Sequence, residues 1–187
     1  MKQVIPKSIS SIKTKKSRKI NKSNPNNKKK HKYGTSKLEI DFARDFLDKN
    51  GILYIYQYEA KDIKRFFDFA ITCHNDKGYI MEEKDGLKCV RQDKQDFDIG
   101  LLVEIDGSYF HSDPRVVSED KIRPMHKHNK FVDGLKDKWA GMHCIPLLRI
   151  WEYDIRNNPK KVEEELSKYV NLARLRKKKK DGFKKPH

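Results

Sequence analysis

The first regular pattern of apolar and polar residues in the chain is helical. Between residues 36 and 49, apolar side chains recur at helical spacing, at Leu38, Phe42, Phe46 and Leu47. Ser36 and Glu39 have the spacing of a capping box, in which hydroxyl and carboxylate each satisfy a free backbone amide at the helix start. Gly51 stands where a glycine commonly ends a helix. The pattern predicts a helix over residues 36–49.

Stretches rich in aromatic and β-branched residues predict strands at residues 52–58, 66–71 and 99–106. In the first stretch every second residue is a tyrosine, so Tyr54, Tyr56 and Tyr58 are expected to share one face, as core or strand surface. Residues 74–95 are polar and contain the turn signals of an inserted hairpin or loop.

The second half of the body repeats the alternation of helix and strand. Residues 126–140 and 159–173 have helical patterns, and residues 144–151 form another apolar strand. In the first of these helices, Phe131, Leu135 and Trp139 are spaced to form the buried stripe, which leaves Asp133 on the opposite side. The order of elements predicts an α/β fold, a small mixed α+β sheet flanked by helices.

Charge divides the 187-residue chain into three parts. Residues 1–33 hold 12 Lys and Arg and no acid, and residues 171–187 hold eight Lys and Arg against one acid. Residues 34–170 carry a net charge of −3, although the whole chain carries +16. Basic, Ser- and Asn-rich tails cannot bury enough apolar surface to fold alone, so both are predicted to be disordered and to neutralise phosphates. A solubilising or ribosomal-RNA-contacting extension is the alternative interpretation.

Composition also narrows the cellular setting. Cys73, Cys89 and Cys144 form no CxxC pair, and an odd count argues against a secreted disulfide scaffold. No apolar run reaches membrane-spanning length, which predicts a protein with no membrane partner. An intracellular location in the cytoplasm or nucleoid of a bacterial or phage-infected cell is expected, with a nuclear or organellar one left open. The cysteines and neighbouring histidines are expected to be unliganded rather than to form a structural Zn²⁺ site.

Acidic residues inside apolar strands give the strongest chemical signal. Asp68 interrupts one apolar run, and Glu104 and Asp106 share a face near the end of another, beside Gly107. A buried carboxylate persists only when it is paired, hydrogen-bonded or bound to metal. Three converging carboxylates form a hard-oxygen site suited to Mg²⁺ or Mn²⁺. The alternative for either Glu104 or Asp106 alone is an acidic solvent face.

The run LLVEIDGSYFH at residues 101–111, preceded by Asp68 and followed by PLLRIWE at 146–152, resembles the PD-(D/E)XK superfamily of restriction-endonuclease-like nucleases. It is most similar to the branch that contains very-short-patch repair endonucleases and phage homing endonucleases with an E-D-x-H-D active site. The resemblance covers roughly residues 36–155 and neither tail. It implies a restriction-endonuclease-like core, with a nuclease domain at residues 34–170.

The resemblance also implies roles for individual residues. Asp68 would be the anchoring metal ligand, Glu104 the second ligand, and Ile105 a ligand through its backbone carbonyl. His111 would act as general base or acid at the attacked phosphate, Asp133 would orient His111 or a water, and Glu39 would hold an outer-shell water. Two departures stand out. Asp106 replaces the superfamily's usual lysine and is left as a possible further ligand, and Phe67 replaces the usual proline.

The expected activity is Mg²⁺- or Mn²⁺-dependent hydrolysis of double-stranded DNA by a monomer, as a phage-type homing or a site- or structure-specific endonuclease. A mismatch-nicking repair endonuclease, a non-catalytic nucleic-acid-binding protein with this fold, and an RNA substrate remain alternatives. Tyr109 and Phe110, beside the expected metal, are candidates for a wedge into DNA. The other expected nucleic-acid contacts are basic: Lys15, Lys16, Arg18, Lys19, Lys28, Lys29, Lys30 and Lys130.

Overall fold

A computed structural model describes residues 36–74, 78–93 and 95–182. The basic arm at residues 1–33, with the expected DNA contacts from Lys15 to Lys30, lies outside the described residues. None of the helices in the described part of the chain is both long and apolar enough to cross a bilayer.

The elements follow the predicted order, with additions. In chain order they are α1 (Lys37–Phe42, continued by a π-helical turn, Ala43–Asp48), β1 (Tyr54–Ala60), β2 (Arg65–Thr72), β3 (Met81–Lys84), β4 (Leu87–Val90), β5 (Ile99–Asp106), α2 (Pro124–Met142), β6 (Leu147–Trp151), α3 (Glu152–Asn157) and α4 (Pro159–Gly182). The polar stretch after β2 contains the β3–β4 hairpin, as its turn signals indicated. The short helix α3 was not predicted.

Four strands form one mixed sheet in the order β1-β2-β5-β6. The β1–β2 and β2–β5 pairs are antiparallel, whereas β5 and β6 are parallel. One face packs under α1 and α4, where Phe42, Phe69 and Leu166 are buried together. The other face packs under α2 through Leu102, Trp139 and Ala140. The mixed α/β architecture predicted from the order of elements is therefore confirmed.

Strands β1 and β2 reverse their buried faces at one level of the sheet. Tyr56 and Phe69 belong to the core under α1 and α4, but Tyr58 and Phe67, two residues away along each strand, pack on the side of α2. The ladder omits the intervening pair, and Gln57 has φ of 49°. The prediction that the three tyrosines share one face is therefore wrong, because the β1 backbone leaves the regular extended conformation at Gln57.

Helix α2 is rotated relative to its predicted orientation. Trp139 is buried, but Phe131 is 63% exposed, so the expected Phe131–Leu135–Trp139 stripe is not the buried one. The half-buried side of the helix carries Asp133 and Lys136 instead. Asp133 is therefore half-buried, although its position opposite the expected stripe would have left it in solvent. The sheet beneath this part of α2 presents acids, and polar side chains of the helix pair with them.

The last helix extends past the predicted end of the body. α4 continues to Gly182, whereas residues 171–187 were expected to form a disordered tail. Val170 and Ala173 are both buried, so the helix still packs on the sheet after residue 170. Both buried positions lie within the helix predicted over residues 159–173, and the basic segment continues that helix.

Gly100 allows α4 to approach β5. A Cβ at this position would lie 2.8 Å from Cβ of Ala173 and 3.0 Å from Sγ of Cys73. We expect Gly100→Ala to lower the free energy of unfolding by about 1–3 kcal/mol, as overpacked core substitutions do. Urea unfolding followed by circular dichroism measures the change. The matched control is Gly134→Ala, because a Cβ there meets no atom of the described residues within 4 Å and the helix should gain about 0.5–1 kcal/mol. Equal effects at the two positions would contradict this packing.

Candidate active site

Six residues singled out in the sequence line one cavity of about 210 Å³. They are Glu39, Asp68, Glu104, Ile105, His111 and Asp133, and Asn129, Val132 and Lys136 complete the lining. Helix α1, strands β2 and β5, the loop after β5 and helix α2 each contribute to it. Residues from five separate segments thus converge where the pairing of β2 with β5 ends.

Asp68 lies at the end of that pairing. The last paired residues of β2 and β5 are Phe69 and Val103. Beyond this pair, the carboxylate of Asp68, rather than a backbone carbonyl of β2, accepts the hydrogen bond from β5. The backbone N–H of Ile105 donates to Oδ2 of Asp68 at 2.7 Å. Because the N–H and C=O of a residue in extended backbone point to the same side, the Ile105 carbonyl faces the same edge of β5. Burial raises the pKa of Asp68, although the charge of Lys136 opposes the shift.

Glu104 is an acid in a buried position, 3% exposed. Its Oε2 accepts a hydrogen bond from Nζ of Lys136 at 2.7 Å, whereas its Oε1 is buried without a hydrogen-bond partner among the described residues. Burial raises the pKa of Glu104 well above its usual range, and the charge of Asp68 adds to the shift. One oxygen of this carboxylate therefore lacks the partner that a buried anion needs.

Glu39 faces the cavity from α1. Ser36 accepts the backbone N–H of Glu39 at 3.2 Å, as the predicted cap requires. The Glu39 side chain also accepts a hydrogen bond from the hydroxyl of Tyr56 at 3.1 Å. Burial and then the charge of Asp68 raise the pKa of Glu39 to about 7. Helix capping alone therefore does not account for this residue.

His111 and Asp133 form a hydrogen-bonded pair. Nδ1 of His111 lies 2.8 Å from Oδ2 of Asp133 and 3.5 Å from Oδ1 of Asp106. Burial alone would lower the pKa of His111, but the hydrogen bond to Asp133 and the charges of both acids outweigh it, so the pKa is raised. The Asp133 pKa is lowered, since the bond and charge of His111 outweigh burial. With Nδ1 held by Asp133, Nε2 is the ring nitrogen left for another group.

Asp106 belongs to a neighbouring cluster rather than to the cavity lining. Nη1 of Arg149 lies 3.0 Å from Oδ1 of Asp106 and 3.4 Å from Oδ1 of Asp133. The ligand atoms of Asp106, His111 and Asp133 lie within 4.8 Å of one another, so this group could hold a metal ion. Burial raises the pKa of Asp106, although Arg149 opposes the shift. Asp106 therefore contacts the His111–Asp133 pair, while Asp68 and Glu104 line the adjoining cavity.

Ion pairs and hydrogen bonds hold the loop that carries His111. Asp113 is fully buried and pairs with Arg115, which also reaches Asp154 of α3 at 2.8 Å. The backbone N–H of Ser108 donates to Glu152, and the Ser108 hydroxyl accepts from the N–H of Tyr153. These contacts fasten both sides of the loop to α3, so His111 is presented on a braced segment.

Two aromatic residues on this loop remain accessible. Tyr109 is 42% exposed and Phe110 is 57% exposed, and their rings meet edge to face at 5.6 Å. The amide of Asn129 on α2 donates to the carbonyl oxygen of Phe110 at 2.9 Å and so fixes the backbone there. Lys130 on α2, which the sequence predicts to contact nucleic acid, lines a second cavity of about 790 Å³. His111 and Asp133 also line this cavity.

The cysteines take no part in the site. Cys73 and Cys89 are buried and Cys144 is exposed. Within the described ranges, the group of three potential metal-binding side chains is the Asp106 cluster, which contains no cysteine. His126, in the first turn of α2, is buried, and its Nδ1 accepts the backbone N–H of Arg123.

Sequence reasoning missed Lys136, Tyr56 and Asn129. Once Asp133 is placed inward, Asn129 and Lys136 follow at positions i−4 and i+3, on the same side of α2. The helical spacing of Asn129 and Lys136 from Asp133 was therefore visible in the sequence. The prediction that Phe131 belongs to the buried stripe placed this side of α2 in solvent. Tyr56 had no comparable signal, since its pairing with Glu39 joins segments that only the fold brings together.

Comparison of the chain with protein-family models, with curated proteins and with solved structures gives no match in any of the three.

Proposed function

We propose that this protein is a metal-dependent endonuclease that hydrolyses phosphodiester bonds of DNA. The observation that carries the proposal is the convergence of Glu39, Asp68, Glu104, His111 and Asp133 on one cavity. These residues come from five separate segments of the chain, and each is one to which the resemblance to restriction-endonuclease-like nucleases gives a role. A binding protein has no need for buried acids beside a polyanion, because they repel phosphate unless a cation lies between them.

The donor atoms of the cavity suit Mg²⁺ or Mn²⁺. Asp68, Oε1 of Glu104, which has no partner within the described part of the chain, and the Ile105 carbonyl offer oxygen donors, which these ions prefer. The Asp106 cluster is the weaker candidate, because Arg149 already neutralises Asp106 and Asp133. When bound, the ion would supply Lewis-acid stabilisation of the charge that develops on the attacked phosphate.

The proposed role of His111 is to accept the proton of the attacking water through Nε2. Asp133 keeps the imidazole oriented and stabilises its protonated form, as the 2.8 Å contact with Nδ1 requires. Asp106 adds a second negative charge 3.5 Å from the same nitrogen. In this site the histidine and its acids provide the proton transfer for which the superfamily uses a lysine.

The proposed substrate is double-stranded DNA, cut as a homing or a site- or structure-specific target. Lys130 and the basic arm would contact the phosphate backbone, and Tyr109 and Phe110 would enter a base step beside the scissile bond. The exposure of this aromatic pair beside the cavity also favours the second candidate, a mismatch-nicking endonuclease, because mismatched steps cost less to unstack.

We expect Phe110→Ala to weaken DNA binding about tenfold, which corresponds to about 1.4 kcal/mol of lost stacking. The stability of the protein should change by less than about 0.5 kcal/mol, since the ring is 57% exposed. Fluorescence anisotropy measures the affinity for a DNA that the wild type cleaves, in EDTA so that the DNA stays intact. Phe131→Ala is the matched control, because that ring is 63% exposed on the outer side of α2. Equal affinities for the two variants would remove Phe110 from the DNA interface.

Cleavage of a complex DNA mixture tests the proposed activity without requiring a known target sequence. Genomic DNA is incubated with the full chain in Mg²⁺, Mn²⁺ or EDTA, and new ends on each strand are sequenced. The proposal expects ends that depend on the metal, and their distribution separates nicks from double-strand cuts. Mismatched, branched and RNA substrates are tested in parallel. DNA binding without metal-dependent cleavage of any of these substrates would leave the non-catalytic interpretation.

A further inference from the structure

Lys136 holds a position in the cavity that the proposed chemistry has not used. Its Nζ lies 2.7 Å from Oε2 of Glu104, and its side chain is only 12% exposed. The ammonium also lies 5.6 Å from the centre of the Phe67 ring. Helix α2 thus places a nearly buried cation directly on the carboxylate proposed as the second metal ligand.

The charges around the cavity show what this cation does. Among the described residues that line it, four are acids, and Lys136 is the only Lys or Arg. It donates a hydrogen bond to one oxygen of Glu104, and the other oxygen has no hydrogen-bond partner among the described residues. A buried carboxylate is strongly destabilising unless a positive charge lies near it. Lys136 therefore supplies part of the positive charge that a divalent ion would supply in full.

We propose that Lys136 is an exchangeable counter-ion, which occupies Glu104 when the metal is absent and leaves it for the phosphate when the metal binds. The inference rests on the proposed metal-dependent function and adds to it a regulation of metal binding. A divalent ion and an ammonium repel each other, so they compete for the same carboxylate. Once displaced, the ammonium remains on α2 at the cavity, where a bound phosphate offers it a new anionic partner.

The competition predicts an unusual sign for the effect of neutralising Lys136. We expect Lys136→Gln to bind Mn²⁺ about tenfold more tightly than the wild type, because the competing charge is removed. The same variant should cleave DNA about tenfold or more slowly at saturating Mn²⁺, because the phosphate loses a cation. If Lys136 instead only held Glu104 in position, the Lys136→Gln variant would bind Mn²⁺ more weakly than the wild type, or not at all.

Mn²⁺ binding to the full chain without DNA, followed by the EPR signal of the free ion, measures this affinity apart from activity. Lys136→Arg retains the charge and should bind Mn²⁺ as the wild type does. Lys138→Gln is the matched control, since Lys138 is an exposed lysine on the same helix, and it should change neither affinity nor cleavage. Circular dichroism confirms that each variant is folded.

A second measurement uses proteins with lysine intact at this position. The ε-methylene signal of Lys136 in ¹³C-lysine-labelled wild type, assigned by its absence from Lys136→Arg, should move toward the exposed-lysine position as Mg²⁺ is added. An unmoved signal in a protein that binds the ion, or unchanged or weaker Mn²⁺ affinity in folded Lys136→Gln, would overturn the exchange. If neither the wild type nor Lys136→Gln bound Mn²⁺, the proposed metal site would be wrong, and with it the proposed function.

Discussion

Asp68→Asn is expected to reduce metal-dependent DNA cleavage by about a thousandfold or more while leaving the protein folded. Removing electrostatic stabilisation from a developing charge costs this order of rate, and here the loss would include the ion itself. Asparagine keeps the size of the side chain and retains an oxygen that can accept the N–H of Ile105, the bond that Asp68 makes at 2.7 Å. The end of the β2–β5 pairing should therefore persist in the variant.

The substitution should also preserve or raise stability. Asp68 faces other acids, and burial and the charge of Asp106 both raise its pKa. Removing a charge that the fold disfavours relieves that repulsion, so a catalytic loss cannot be assigned to unfolding. Rates are compared at saturating DNA on a substrate that the wild type cleaves, and thermal unfolding is recorded alongside.

Asp45→Asn provides the matched control for this experiment. Asp45 is exposed on the turn that follows α1 and does not line the cavity. Its substitution removes the same charge from the same chain, and it should leave cleavage within about twofold of the wild type. Near-normal cleavage by folded Asp68→Asn would contradict both the metal site and the proposed nuclease.

His111→Ala is expected to slow cleavage about 100- to 10,000-fold, the range contributed by a general base. Only the neutral imidazole can accept a proton, so the rate should rise as pH increases through the pKa of His111. Asp133 and Asp106 raise that pKa, and the rise should therefore lie above the ordinary histidine value of about 6.5.

Asp133→Asn tests the origin of this shift. The variant removes the charge and the charge-assisted hydrogen bond that favour protonated His111. The pKa of His111 should therefore fall, and the rise in cleavage rate should move to lower pH. The maximum rate should also fall, because the imidazole is less well oriented. Single-turnover rates between about pH 5.5 and 9 record both effects.

Glu39 titrates in the same range, since its pKa is raised to about 7. Glu39→Gln is therefore measured in parallel, and a rise that persists in this variant belongs to His111. If Asp133→Asn left the pH profile unchanged while Glu39→Gln shifted it, the assignment of His111 as the base would be wrong.

The mixed sheet and its flanking helices could be predicted from the sequence because they depend on local patterns. Alternating and helical apolar spacing located the predicted elements within a few residues, and Gly51 does end the first helix with φ of 60°. Asp68 and Glu104 were identifiable for a related reason. An acid within an apolar strand is conspicuous because burying its charge is costly in any fold.

The rotation of α2 and the reversal of β1 and β2 could not be predicted in this way. Two sides of α2 are compatible with its sequence, and the acids presented by β5 decide between them by pairing with Lys136 on the helix. At Gln57, a positive φ reverses the alternation that the tyrosines suggest. The orientation of α2 thus depends on a partner distant in sequence, which a local pattern does not contain, and the alternation of the tyrosines does not reveal the backbone conformation at Gln57.

The sequence by itself thus determined the order of the elements, the buried acids and the charged tails. Only the tertiary structure decided that Glu39, His111 and Asp133 face Asp68, that Asp106 pairs with Arg149, and that Lys136 bonds Glu104. Apolar residues that become buried recur at regular spacing along a helix or strand, so their burial can be predicted from the sequence. Charge pairing between segments has none, because its energy depends on distances that exist only after the segments have packed.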